Sequence, residues 1–143
     1  MKSFGWPLAI ALTVVAGIAN AGNLCSANPF TKEEAAQGKI AFDTHCAYCH
    51  QYNMTGRKPG NSKNESPDMS LLSESDLKML DSNGGASPPL IGRAFLAKWR
   101  NKTFTDFSST VSSAANSFPT KNFETPKSYF LIAAYVLYTN CAK

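Results

Sequence analysis

The chain has 143 residues, with 14 Lys and Arg against 10 Asp and Glu and a formal net charge of +4. That length suits one compact domain and not two, and so mild a basic excess does not resemble a nucleic-acid-binding surface. Four Cys and two His are few enough for their spacing to carry information.

The N-terminus begins with Lys2, continues through an apolar run over residues 8–18 and reaches Ala19-Asn20-Ala21 before Gly22. A short basic start, an apolar stretch and small residues at the cut are the parts of a secretory signal peptide, so residues 1–21 are expected to be removed and residues 22–143 to form the mature domain. The run is short for a membrane span, and Gly22-Asn23-Leu24 is a poor approach to a lipid-modified Cys25. The expected location is exported, in the periplasm, with no stable membrane span after cleavage. Removing Lys2 leaves 13 basic residues against 10 acidic ones.

The first helix is expected to start at Thr31, because Thr31-Lys32-Glu33-Glu34 is a Thr-x-x-Glu capping box followed by helix formers. Gly38 and Phe42 fall four apart on one face, a small residue beside a large one, as a close helix crossing requires. At the end of this helix stands Cys46-Ala47-Tyr48-Cys49-His50. A Cys-x-x-Cys-His box is the arrangement that attaches haem: each thiol adds to one vinyl group of a porphyrin, and the next imidazole becomes the proximal iron ligand. With this composition a chance match is roughly one in several hundred. A redox dithiol would want a strand and helix pattern around the box, and a zinc site a second pair of ligands. Neither is present, and His45 adjoins Cys46 too closely to complete a tetrahedron. The expected cofactor is one covalently bound haem c, held by Cys46 and Cys49 with His50 on iron.

Residues 51–68 have the composition of a loop, with Gly56, Pro59, Gly60 and Pro67 among the basic Arg57, Lys58 and Lys63. A short helix is expected over 73–80 with Ser73 and Asp76 as a capping pair, stopped by Asn83-Gly84-Gly85. Pro88-Pro89-Leu90 bends the chain, residues 93–102 carry Phe95, Leu96 and Trp99 at helical spacing, and 105–115 suggest another helix. In the last helix Thr125 is the cap, Pro126 the first position, and Tyr129, Ile132, Ala133 and Val136 form a stripe ending near Asn140. No segment needs a sheet, so the fold class is all-α. Outside the box only Cys25 and Cys141 remain, one near each end of the mature chain, and export favours a disulfide between them worth ~4 kcal/mol.

Taken together these segments resemble class I c-type cytochromes over most of residues 31–140. Gly38 and Phe42 resemble that family's N-terminal helix, and Ile132-Ala133-Ala134-Tyr135-Val136-Leu137 its C-terminal helix. Pro88-Pro89-Leu90-Ile91-Gly92, Phe95, Lys98-Trp99 and Thr103 look like cytochromes attached to or serving quinoprotein alcohol dehydrogenases. The resemblance implies a class I cytochrome c fold with the terminal helices crossing beside the haem. It also implies that the Pro88 carbonyl accepts the second N–H of His50, that Leu90 packs on the porphyrin, and that Trp99 or Arg93 reaches a propionate, core packing being an equal alternative for Trp99.

One departure bears on function. The family usually places a Met-Pro pair before the last helix, the methionine ligating iron, whereas this chain reads Ala114-Ala115-Asn116-Ser117-Phe118-Pro119 and has no methionine after Met79. Phe118-Pro119 is the nearest match to the pair; counting back from Tyr129 points to Ala115 or Asn116. The sixth position is thus open between Met79 or Met69, Lys121 as a neutral amine, and water or an empty site; Met54 is too near His50. Two functional readings follow. One is a non-enzymatic electron carrier cycling Fe(III)/Fe(II) with redox partner proteins, among them a quinoprotein or another dehydrogenase. The other is a haem protein whose open sixth position binds or senses small gaseous ligands. A peroxidase would want a distal histidine, and His45 is tied to the box.

Overall fold

The computed structural model describes residues 24–25, 29–57, 72–82, 86–117 and 126–142. The signal segment 1–21, Met69, the Asn83-Gly84-Gly85 stop, Phe118-Pro119, Lys121 and the Thr125 cap lie outside the described residues. Six helices are seen among those described: α1 (Lys32–His45), α2 (Ala47–His50), α3 (Glu74–Ser82), α4 (Arg93–Trp99), α5 (Phe104–Asn116) and α6 (Pro126–Cys141). The all-α expectation is met. The only pairing of extended residues among those described is an isolated antiparallel bridge between Arg57 and Ser87. No helix among the described residues is long and apolar enough to cross a membrane.

α1 starts where the capping box puts it. The Glu34 amide donates to Thr31 Oγ1 at 3.1 Å, and the Thr31 amide donates to Glu34 Oε2 at 2.8 Å, so two amides that the helix cannot pair itself are satisfied reciprocally. The helix buries Ala35, Gly38 and Phe42, positions three and four apart that share a face. Against this face lies α6, which buries Ile132, Ala133, Ala134, Val136 and Leu137. Phe42, Ile132, Val136 and Leu137 have almost no solvent exposure, and burying side chains of this size is worth about 1.5–3 kcal/mol each. The Phe42 ring meets Tyr135 edge-on at 5.5 Å between centroids.

Gly38 sets how close the two helices come. A β-carbon at this position would fall 1.8 Å from the Leu131 carbonyl oxygen and 3.0 Å from the Tyr135 β-carbon. Only a hydrogen fits between the backbones. α5 also packs on α6, and α2 on α1, so the order of packing is α2, α1, α6, α5.

Helix ends depart from expectation in one place of substance. α4 stops at Trp99 instead of continuing to Lys102, because the Lys102 amide turns back to the Trp99 carbonyl at 3.0 Å and Thr103 is extended. Thr103 is the cap of α5: the Asp106 amide donates to Thr103 Oγ1 at 3.1 Å and the Thr103 amide to Asp106 Oδ2 at 2.8 Å. These bonds to Thr103 hold the exposed Asp106 carboxyl below its usual range. α5 therefore begins at Phe104, one residue before the expected start. In α3 the Ser73 and Asp76 pair does cap, the Asp76 amide donating to Ser73 Oγ at 3.1 Å and the Ser73 hydroxyl to Asp76 Oδ2 at 2.7 Å, and the helix runs on to Ser82.

Asn140 is the polar residue buried in α6. Its Nδ2 donates to the carbonyls of Val136 at 2.8 Å and Leu90 at 2.9 Å, while its Oδ1 accepts the Gly92 amide at 3.0 Å. Two of these three bonds thus fasten residues 90–92 to the last helix, and the third holds the side chain to α6 itself. One residue on, Cys141 is joined by a disulfide to Cys25, 116 positions away, with 5.4 Å between Cα atoms.

Two stability predictions follow from these contacts. Gly38→Ala should cost about 3 kcal/mol, because the methyl group meets backbone that cannot move aside, and the denaturant midpoint of the haem-loaded protein reads the loss. Replacing Cys25 and Cys141 together by serine should remove about 4 kcal/mol. In the unreduced protein neither thiol should react with a maleimide.

Candidate functional site

The Cys46–His50 box lies across a helix junction. Cys46 closes α1, its amide donating to the Phe42 carbonyl at 2.8 Å, and begins α2, accepting the amides of Cys49 at 3.2 Å and His50 at 2.9 Å. One tight turn therefore holds both thiols and the imidazole. Gln51 ends it with a left-handed backbone, φ 64°. Cys46 and Cys49 are both free thiols. Burial pushes the Cys46 thiol up to about 12. Burial also raises Cys49, with Arg57 opposing the shift and Asp76 adding to it.

Cys46, Cys49 and His50 border a cavity of about 440 Å³, within the size range of sites that hold organic cofactors. Its walls are mainly carbon. α1 and α6 contribute Phe42, Ile132 and Val136, α4 contributes Phe95 and Trp99, and α5 contributes Phe107, Thr110, Val111, Ala114 and Ala115. α2 packs on α1 and α5 on α6, and the box and the α5 wall both face this space.

His50 is oriented from outside the box. Its Nδ1 lies 2.9 Å from the Pro88 carbonyl oxygen. A carbonyl can only accept, so Nδ1 carries the proton and Nε2 keeps its lone pair. Burial lowers the imidazole's affinity for a second proton, and the Pro88 bond partly offsets this. The segment after the box folds back on it, the Gly56 amide donating to the His50 carbonyl at 3.1 Å, and the loop bearing Pro88 is held against that segment by the Leu90 amide, which donates to the Met54 carbonyl at 2.8 Å. Gly56 has φ 75°, and a β-carbon there would lie 2.5 Å from the Ser87 carbonyl oxygen and 2.7 Å from the Pro88 carbonyl carbon. Glycine is required on both counts.

Of the residues singled out from sequence, Cys46, Cys49, His50, Pro88, Leu90 and Trp99 all line this cavity. Trp99 also belongs to the core, with Phe107 edge-on at 4.8 Å and Phe95 at 6.3 Å. Arg93 is exposed at the start of α4 and is not part of the lining. Met54 is buried in the core and does not line the cavity. Met79 borders a second cavity of about 340 Å³ with Cys49, His50, Leu80, Ser87 and Pro88, beside the bond that orients the imidazole. Met69 and Lys121 are outside the described residues. His45 and Lys98 reach the main cavity as well; no spacing rule distinguished them, because each looked like an ordinary polar neighbour of a stronger signal.

The residues present fit a covalently bound haem. Two thiols three positions apart and an imidazole with its Nε2 lone pair retained face one apolar cavity, which is the donor set that such a group needs. Among the described residues no group of three or more His, Cys, Asp or Glu side chains is arranged to hold a metal ion by itself. No family model, curated protein or solved structure matches the chain.

Gly56→Ala should cost at least about 2 kcal/mol from the left-handed backbone and the clash together. Urea unfolding gives the loss, and proton exchange at His50 Nδ1 should quicken as the Pro88 carbonyl is displaced.

Proposed function

We propose that this chain is an exported monohaem c-type cytochrome of the class I kind, with the terminal helices α1 and α6 crossing beside the haem, and that it carries electrons between redox proteins without being an enzyme. The observation that carries the reading is the meeting of Cys46, Cys49 and His50 on the wall of one apolar cavity, with the imidazole turned by Pro88. Cys46 and Cys49 would hold the haem through thioether links, and His50 Nε2 would be the protein's ligand to its iron. Bound there, the haem supplies one reversible electron through the Fe(III)/Fe(II) couple.

The chain's own part is positioning and exclusion of water. The Pro88 carbonyl fixes the ring plane of His50 and raises its basicity as a ligand. Phe42, Ile132 and Val136 keep solvent from one side, and Phe95, Trp99 and Phe107 pack as a second wall. The signal-like residues 1–21 and the Cys25–Cys141 disulfide support an oxidising, exported location such as the periplasm. A quinoprotein or another dehydrogenase is the partner suggested by the Pro88-to-Thr103 pattern alone, an analogy weaker than the site geometry.

A second reading has its own observation. Among the described residues the α5 part of the cavity wall, Phe107, Thr110, Val111, Ala114 and Ala115, offers no thioether, amine or imidazole, Met79 borders the other cavity, and the amine and second imidazole that do reach the main cavity belong to Lys98 on α4 and to His45 beside the box. This favours an iron with an exchangeable sixth position that takes a small gaseous ligand.

Mass spectrometry of the exported chain should show the mass of one haem on the peptide containing Cys46 and Cys49, and His50→Ala should abolish the parent spectrum. A mature product without the added mass overturns the cytochrome reading. Absorption spectra separate the two roles: a far-red thioether band in the ferric protein marks a six-coordinate carrier, whereas a high-spin ferrous form that binds carbon monoxide at once marks an open site.

A further inference from the structure

The peptide between Cys49 and His50 links the second thiol to the imidazole, so its plane helps decide where the ring points. Its carbonyl belongs to the last turn of α2, where a helix leaves carbonyls without partners of its own. Here the partner is the Ser87 hydroxyl, which donates to the Cys49 carbonyl oxygen. The same hydroxyl accepts the Arg57 amide at 3.0 Å. One side chain thereby joins the end of α2 to the segment after it.

Ser87 is itself anchored independently of that hydroxyl. Its amide donates to the Arg57 carbonyl at 2.9 Å and its carbonyl accepts the Arg57 amide at 3.0 Å, forming the isolated bridge. The next residue is Pro88, whose carbonyl turns the imidazole. Two consecutive residues therefore act on two consecutive parts of the box: Ser87 on the Cys49–His50 peptide, Pro88 on the His50 ring. The backbone bridge would survive loss of the hydroxyl, so the hydroxyl's contact with Cys49 can be removed by itself.

We infer that Ser87 is a positioning residue for the axial imidazole, acting through the Cys49 carbonyl. The inference rests on the cytochrome reading, because ring orientation matters when His50 is a ligand. Without the hydroxyl the Cys49–His50 peptide can rock, the imidazole turns with it, and the bond from His50 Nδ1 to Pro88 opens more often.

The test compares the exported, haem-loaded parent with Ser87→Thr and Ser87→Val, which have the same shape and differ by the hydroxyl. Proton exchange at His50 Nδ1 and the paramagnetically shifted haem methyl resonances of the ferric protein are the readouts. The valine variant should exchange roughly tenfold faster, the equivalent of one lost hydrogen bond, with a changed methyl pattern, while the threonine variant keeps both parental values. Parental exchange and methyl pattern in the valine variant, or equal changes in both variants, overturn the inference. Should the valine chain not accumulate, the parent itself decides: a slowly exchanging Ser87 hydroxyl proton coupled to a carbon-13-labelled Cys49 carbonyl supports the bond, and a freely exchanging one overturns it. A parent with no haem sinks the cytochrome reading instead, a result seen before any Ser87 variant is made.

Discussion

The approach of α1 and α6 at Gly38 governs everything built above it. With only a hydrogen between the Gly38 backbone and the Leu131 carbonyl, the two helices meet closely enough for Phe42 to reach Tyr135 and for Ile132 and Val136 to form a cavity wall beside it. Because α1 runs directly into the Cys46–His50 turn, the crossing fixes where the thiols start. Because α6 carries α5 on another side, it also fixes the opposite wall. The cavity is the space left by this arrangement, and its apolar character comes from the same residues that hold the helices together.

Loops complete what helices begin. Residues 51–57 and 86–92 contain little regular structure, yet each is tied to something rigid: Gly56 to the His50 carbonyl, Leu90 to the Met54 carbonyl, and Leu90 and Gly92 to the Asn140 side chain on α6. Pro88 sits between these anchors. Its carbonyl can therefore be held within hydrogen-bond distance of an imidazole 38 positions earlier in the chain. Buried polar atoms, which would cost stability if left alone, are used here as attachment points.

The parts legible in the sequence were those in which neighbours in the chain are also neighbours in space. The Thr31 capping box, the Gly38 and Phe42 spacing, the Cys46–His50 box and the stripe on α6 all follow from local periodicity or chemistry. The Pro88 contact was long-range, and family resemblance located it. Of the α5 wall the sequence points only to Ala115, by counting back from Tyr129, because Thr110, Val111 and Ala114 have the side chains of an ordinary packed helix and none with ligand chemistry. Asn140 looked like a helix terminator, and its task depends on backbone groups 48 and 50 positions away. The pattern of Phe95, Leu96 and Trp99 carries α4 on to Lys102 and starts α5 at Thr105, because it does not reveal that Thr103 and Asp106, lying between and just inside these bounds, form a cap that fixes both ends.

If the box takes a covalent haem as proposed, the separation between the box and Pro88 implies an order of events in biogenesis. Cys46, Cys49 and His50 share little more than one turn of backbone, so a nascent, still extended polypeptide can present all three to an attachment machinery before any tertiary structure exists. The Pro88 carbonyl cannot take part until the intervening segments have folded back. Under that proposal covalent capture and final ring alignment would be separable in time, the first encoded by five contiguous residues and the second by the finished architecture.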